Sequence, residues 1–144
     1  MRAKQNDANA AFCKFQNIRP HGGLLQTNGE KQMNTVCDLT NKSCVPCEGG
    51  VPTLSREEAQ NFLKDVPDWN LSDDNNSISR RFEFKGFYKC MAFINAMAWV
   101  ANSENHHPDF SAGYNYCEVT FTTHAIDGLS ENDFICAAKL NALM

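Results

Sequence analysis

Two stretches of alternating apolar and polar residues constrain this chain more than any other feature. In residues 78–84, Ile78, Phe82 and Phe84 share one side, and Ser79, Arg81 and Glu83 share the other. In residues 115–123, Cys117, Val119 and Phe121 face one way, and Tyr116, Glu118, Thr120 and Thr122 face the other. Side chains alternate along a strand with period two, so each stretch predicts a strand with a single apolar face. Such strands belong to antiparallel sheets covered on one side, because parallel sheets are buried on both.

Helical spacing supplies the cover. Ser55 and Glu58 make a capping box, and Ala59, Phe62, Leu63 and Val66 follow at i, i+3, i+4 and i+7, which predicts a helix over 55–66 that stops before Pro67. Trp69 and Leu71, followed by the polar turn Asp73, Asp74, Asn75 and Asn76, predict a short strand in a hairpin with 78–84. Residues 87–104 predict a long helix with Phe87, Met91, Ile94, Ala98 and Ala101 as its stripe. Phe93, Met97, Trp99 and Val100 widen that apolar surface, so burial is expected on two sides, against its own sheet and against another subunit. A short extended piece follows Pro108. Ser130 and Asp133 open a last helix with Cys136, Ala137, Leu140 and Leu143 inward. The order α-β-β-α-β-β-α predicts an α+β fold, a four-stranded antiparallel sheet with three helices packed on one face.

At 144 residues the chain has room for one sizeable core. Residues 1–50 lack periodicity and are punctuated by Gly22, Gly23, Gly29, Pro46, Gly49 and Gly50, so they read as a disordered or loop-like extension, with 51–144 as the folded domain. No apolar run approaches the ~18–20 residues of a membrane span. The net charge of −4 divides into +3 over residues 1–32 and −7 over the rest, a balance that argues against direct nucleic-acid binding. The seven cysteines are an odd set, and no apolar signal segment stands at the N-terminus, so free thiols in a cytoplasmic protein are expected. Residues 1–32 are acid-poor but have no Ser, which makes organellar targeting the lesser reading; Met33 is an alternative start. Cys44-Val45-Pro46-Cys47 reads as a loop with two free thiols, with a structural metal or a redox pair as the alternatives.

Three of the four histidines, His106, His107 and His124, fall within nineteen residues. An imidazole titrates close to neutrality and serves as acid or base there. Pro108 biases His107 toward an extended backbone, so the adjacent rings can point in different directions. His124 ends the second strand off its apolar face. Two such groups on opposite edges of a cleft could protonate one substrate atom and deprotonate another. Each piece also has an ordinary reading: a His pair after a helix decorates a surface, Asp133 caps, although its spacing also sets it near His124, and Tyr114 and Tyr116 pack. Three histidines are a known zinc set, but neighbours in sequence do not readily present both rings to one ion, and no metal site is expected.

Taken together, His106-His107-Pro108, then Tyr114, His124 and Asp133 with five, nine and eight residues intervening, resemble the pterin-4a-carbinolamine dehydratase family. The segment Arg81-Phe82-Glu83-Phe84-Lys85-Gly86-Phe87 and the Gly128-Leu129-Ser130 turn are also similar, and the resemblance covers roughly residues 50–144. It implies dehydration of 4a-hydroxytetrahydropterin to a quinonoid dihydropterin, without cofactor, in support of aromatic amino acid hydroxylation. It implies His106 and His124 as the acid/base pair and His107 holding the pterin, with Asn105, Pro108, Thr122, Thr123, Ala125 and Asp133 around the substrate. It also implies a homodimer or homotetramer. Asn102 departs from the pattern, since a carboxylate commonly stands there; Glu104 is nearby but out of register. Two other readings stay open: a non-catalytic dimerisation or coactivator module, and a dehydratase acting on another pterin, as in molybdenum-cofactor metabolism.

Overall fold

The β-hairpin and the strand that joins it set the frame of the computed structural model, which describes residues 36–46 and 51–144. Its elements are α1 (Val36–Asn41), α2 (Arg56–Leu63), β1 (Asn70–Leu71), β2 (Ile78–Glu83), α3 (Phe87–Glu104), β3 (Asp109–Ala112), β4 (Tyr116–Phe121), a 3-10 turn (His124–Ile126) and α4 (Glu131–Asn141). The strands form one antiparallel sheet in the order β1-β2-β4-β3. This is the expected α+β architecture. The register pairs Ile78 with Phe121 and Phe82 with Cys117, which stacks the apolar residues of both alternating stretches on one face. Those residues are buried in one core with Ala59 of α2, Phe93 and Met97 of α3, and Phe134 and Leu140 of α4. On the other face Arg81, Glu83 and Glu118 are exposed. No helix among the described residues is long and apolar enough to cross a membrane.

The capping box at Ser55 forms as the spacing predicts. Arg80 interrupts the apolar side of β2 between Ile78 and Phe82. Its guanidinium lies 4.5 Å from the Phe82 ring centre and donates to Asn141 Oδ1 at 2.6 Å and to the Pro67 carbonyl at 3.2 Å. Trp69 Nε1 donates to the same Asn141 oxygen at 2.9 Å, so one amide fastens the end of α4 to the β1–β2 hairpin.

Two features differ from expectation. In α3 the buried stripe is Cys90, Phe93, Met97 and Ala101, while Phe87 and Met91 are exposed. A helix apolar around most of its circumference has no unique phase. The sheet selects it, through Phe93 packed on Phe82 and Phe84 at ring separations of 4.5 and 5.2 Å. The second difference lies in residues 36–46, expected as tail and surface loop. They hold α1, whose Leu39 is 0% exposed, and a strap that runs along α4. Lys42 pairs with Glu131 at 2.7 Å, Cys44 N–H donates to Glu104 at 2.8 Å, and Val45 and Asn132 exchange bonds of 3.1 and 2.7 Å. A six-residue helix spans fewer than two turns and shows no period to read. The rest of the presumed extension, including Cys47, lies outside the described residues.

Removal of Leu39 tests whether this segment belongs to the core. Leu39→Ala is expected to lower unfolding stability by roughly 2–4 kcal/mol in a urea titration, as buried Leu truncations do, whereas a surface-loop leucine would change it by only about 0.5 kcal/mol.

Candidate active site

Where α3 ends, Asn105 takes the left-handed conformation (φ 51°, ψ 36°) and its N–H closes the helix on Ala101 and Asn102. That turn separates the two histidines that follow. His106 goes inward, 7% exposed, with its ring stacked on Phe121 at 5.7 Å and 13°. Its Nε2 meets Asp133 Oδ1 at 2.7 Å. Asp133 is wholly buried, and its Oδ2 accepts from Thr123 Oγ1–H and Ser130 N–H, both at 2.8 Å. Thr123 and Ser130 hydroxyls are themselves 2.8 Å apart. A buried carboxyl group without partners would be costly, and this one has a partner on every side it presents. With Asp133 as a carboxylate, His106 Nε2–H is the donor and Nδ1 is left as the basic nitrogen.

His107 faces outward. With Pro108 and Phe110 it walls a cleft of about 310 Å³ whose other side is Ile94, Met97 and Asn102 of α3. The cleft is therefore mainly apolar, with an imidazole and an amide as polar groups, a composition that suits a flat heterocycle. His124 begins the turn after β4, and its side chain is 77% exposed. Its Nε2 lies 3.8 Å from Asp109 Oδ2, too far for a hydrogen bond. The ladder pairs Asp109 with Thr120, and continuing that register sets residues 106–107 beside 122–123. The bonds of both His106 and Thr123 to Asp133 agree with it.

The structure thus joins His106, Thr123 and Asp133, and joins His107 with Pro108. His106 and His124, expected to act as a pair, engage different carboxylates, and Asp133, expected near His124, is bonded to His106. Asn105 and Ala125 are exposed, and Thr122 Oγ1 donates to the Asn76 carbonyl at 2.7 Å. Tyr114 is exposed and stacks on Phe87 at 6.2 Å. Among the described residues no group of three or more His, Cys, Asp or Glu is arranged to hold a metal ion.

Asn102 stands in the cleft wall, and no carboxylate replaces it. Glu104 turns instead toward the strap, where it pairs with Lys139 and accepts from Cys44 N–H. Burial alone would raise its carboxyl, but the bonds from Lys139 and Cys44 outweigh burial and hold it below the usual carboxylate range. Sequence reasoning missed Phe110, Ile94 and Met97 as cleft residues. Phe110 had a signal, since alternation from Asp109 onward puts it on the covered side of an edge strand.

Both the sequence and the fold have known relatives. The family model described as Pterin 4 alpha carbinolamine dehydratase matches residues 52–143. A relative from Nitrosomonas eutropha named "Putative pterin-4-alpha-carbinolamine dehydratase" is 58% identical over 113 residues, 78% of this chain and 98% of the relative. One of the same name from Legionella pneumophila is 53% identical over 108 residues, 74% of this chain and 96% of the relative. The solved structure titled transcriptional coactivator/pterin dehydratase from Brucella melitensis superposes with a TM-score of 0.62 at 33% identity, covering 64% of this chain and 98% of that one. A span of 113 residues in a chain of 144 begins no later than residue 32, so the similarity to the Nitrosomonas eutropha relative takes in the strap.

Two expectations follow from the geometry. Asp133→Ala should cost roughly 3–5 kcal/mol of unfolding stability, the usual result of stripping one partner from a buried pair, while His124→Ala should leave the urea midpoint unchanged. Glu104 has a depressed folded pKa, so its contribution is complete above its ordinary value of 4.5 and is lost as pH falls through the depressed value. Wild-type stability should therefore fall more steeply than that of Glu104→Gln below about pH 4.5 in acid titrations followed by circular dichroism.

Proposed function

The chain belongs to the pterin 4 alpha carbinolamine dehydratase family, a family of hydro-lyases, and on that premise we propose that it dehydrates a 4a-hydroxytetrahydropterin by histidine acid/base catalysis. The observation that carries the reading is the His106–Asp133 bond of 2.7 Å beside the cleft that His107 lines. The reaction breaks the C4a–O bond and forms a C4a=N5 bond. One proton must reach the departing hydroxyl so that it leaves as water, and one must leave N5. A group that donates and a group that accepts therefore suffice, and no redox step is involved.

In this scheme the pterin lies in the cleft against Pro108 and Phe110, with His107 bonded to its polar edge. Asp133 orders the His106 ring so that one nitrogen stays a defined donor and the other a defined base. His124, exposed beside Asp109, exchanges protons at the second position. Asn105, Thr122, Thr123 and Ala125 shape the rim through the turns that present these histidines. The domain begins upstream of 51 on this reading, because the strap is packed on the helix that carries Asp133. The product, a quinonoid dihydropterin, would return to a reductase in support of aromatic amino acid hydroxylation.

A second reading has its own observation. Tyr88 and Trp99 on α3 are 85% and 72% exposed, and Phe87 and Met91 beside them are exposed too. Such a face suits self-association into a dimer or tetramer, or a protein partner, and the Brucella melitensis protein is described as a transcriptional coactivator/pterin dehydratase. Asn102 in the cleft wall leaves room for a different pterin substrate.

The deciding experiment is a dehydratase assay with 4a-hydroxytetrahydropterin, corrected for the spontaneous reaction. Wild type should be active, and His106→Ala and His124→Ala should each lose about 10²- to 10⁴-fold in kcat/KM, His124→Ala at unchanged stability and His106→Ala, which strips Asp133 of a partner, at conditions where its circular dichroism is native. Equal rates in all three proteins reject acid/base catalysis by these residues. An inactive wild type that still self-associates supports the binding-module reading.

A further inference from the structure

Four of the seven cysteines are free thiols among the described residues, and two of them face each other where the strap meets α4. Cys44 Sγ and Cys136 Sγ are 3.6 Å apart, although 92 positions separate them in sequence. Cys44 is half-buried and Cys136 has no exposed surface. We propose that Cys44 and Cys136 form a reversible dithiol–disulfide site, oxidised by a hydroperoxide, that locks the strap onto α4.

The geometry is pinned on both sides of the pair. Cys44 N–H is bonded to Glu104, and Val45 is bonded in both directions to Asn132, one turn before Cys136 on α4. The strap cannot slide without breaking those bonds, so the sulfurs stay in register. Closing from contact distance to a disulfide of about 2.05 Å needs a movement of about 1.5 Å, within reach of side-chain rotation. The other two described thiols lack such a partner arrangement. Cys90 donates to the Tyr116 carbonyl at 3.2 Å, and Cys117 is sealed in the core, its thiol pushed up to about 11 by burial and by Cys90.

The order of events follows from access. Cys44, as thiolate, attacks the terminal oxygen of hydrogen peroxide; the O–O bond breaks, a sulfenic acid forms and hydroxide leaves, to be neutralised by the proton Cys44 released. The hydrogen bond to Cys44, then burial, keeps the Cys136 thiol protonated until this step. Cys136 sulfur then attacks the Cys44 sulfenic sulfur, and its proton departs with the hydroxyl as water. In sum two thiols and one peroxide give one disulfide and two waters. The sulfurs lose two electrons and the peroxide gains them. A thiol reductant reverses the step by exchange.

The disulfide would close a loop of 92 residues between the strap and the middle of α4 and restrict the unfolded chain accordingly. The test is to treat the full-length reduced protein with one equivalent of hydrogen peroxide under native conditions, alkylate, and map the peptides without reduction. The expected product is a Cys44–Cys136 linked peptide lighter by two hydrogens, with a rise in melting temperature on the order of 10 °C that dithiothreitol abolishes. Cys44→Ser, on the half-buried side of the pair and so tolerant of substitution, should fold and lose both signals. Cys47→Ser should keep both. A Cys44–Cys47 link, a Cys44 sulfinic acid with Cys136 still alkylatable after unfolding, or no linked peptide at all would each overturn the assignment.

Discussion

One buried carboxylate organises this protein. Asp133 sits where the start of α4, the end of β4 and the exit from α3 come together, and it accepts a bond from each: Ser130 N–H, Thr123 Oγ1 and His106 Nε2. A hydrogen bond to a charged group is worth more than one between neutral groups, and in the core it has no water to compete with. The same atoms therefore cap a helix, close a turn and orient an imidazole. The candidate site is not added to a finished fold; its central pair is part of what joins the sheet to its last helix.

Around that carboxylate the molecule is held from behind by the strap. Glu104, two residues before His106, and Asn132, one residue before Asp133, are both bonded to the strap, at Cys44 and Val45. Each partner of the central pair thus has a neighbour in the chain anchored to residues far upstream. This explains why the strap packs as part of the domain, although the matched family model begins only at residue 52. Lys42 with Glu131 and Lys139 with Glu104 add charge pairs at the same junction, partly screened by solvent and secondary to Leu39 in the core.

In front, Phe87, Tyr88, Met91 and Trp99 of α3 and Phe110 of β3 are exposed. β3 is an edge strand with all four residues exposed, and it stands beside the exposed ridge of α3. Edge strands present unpaired backbone groups, and exposed aromatic patches are not left bare without reason in soluble proteins. The cleft with His107 opens between these two elements, so anything that covers them also changes access to it.

Much of this was legible beforehand. The strands, their single apolar faces, the Ser55 cap and the element order from α2 to α4 came from period and punctuation, because alternation and capping are local properties of neighbouring residues. The three histidines and Asp133 were legible as a set through a resemblance in spacing. Where each ring would lie was not. That His106 turns into the core while His107 turns out depends on the left-handed Asn105 and on Phe121 across the sheet, and no local pattern encodes a contact between residues 27 positions apart. The phase of α3, the burial of Leu39 and the approach of Cys44 to Cys136 were decided in the same way. A short-range rule reads which side of an element is apolar; only the assembled packing determines what that side meets.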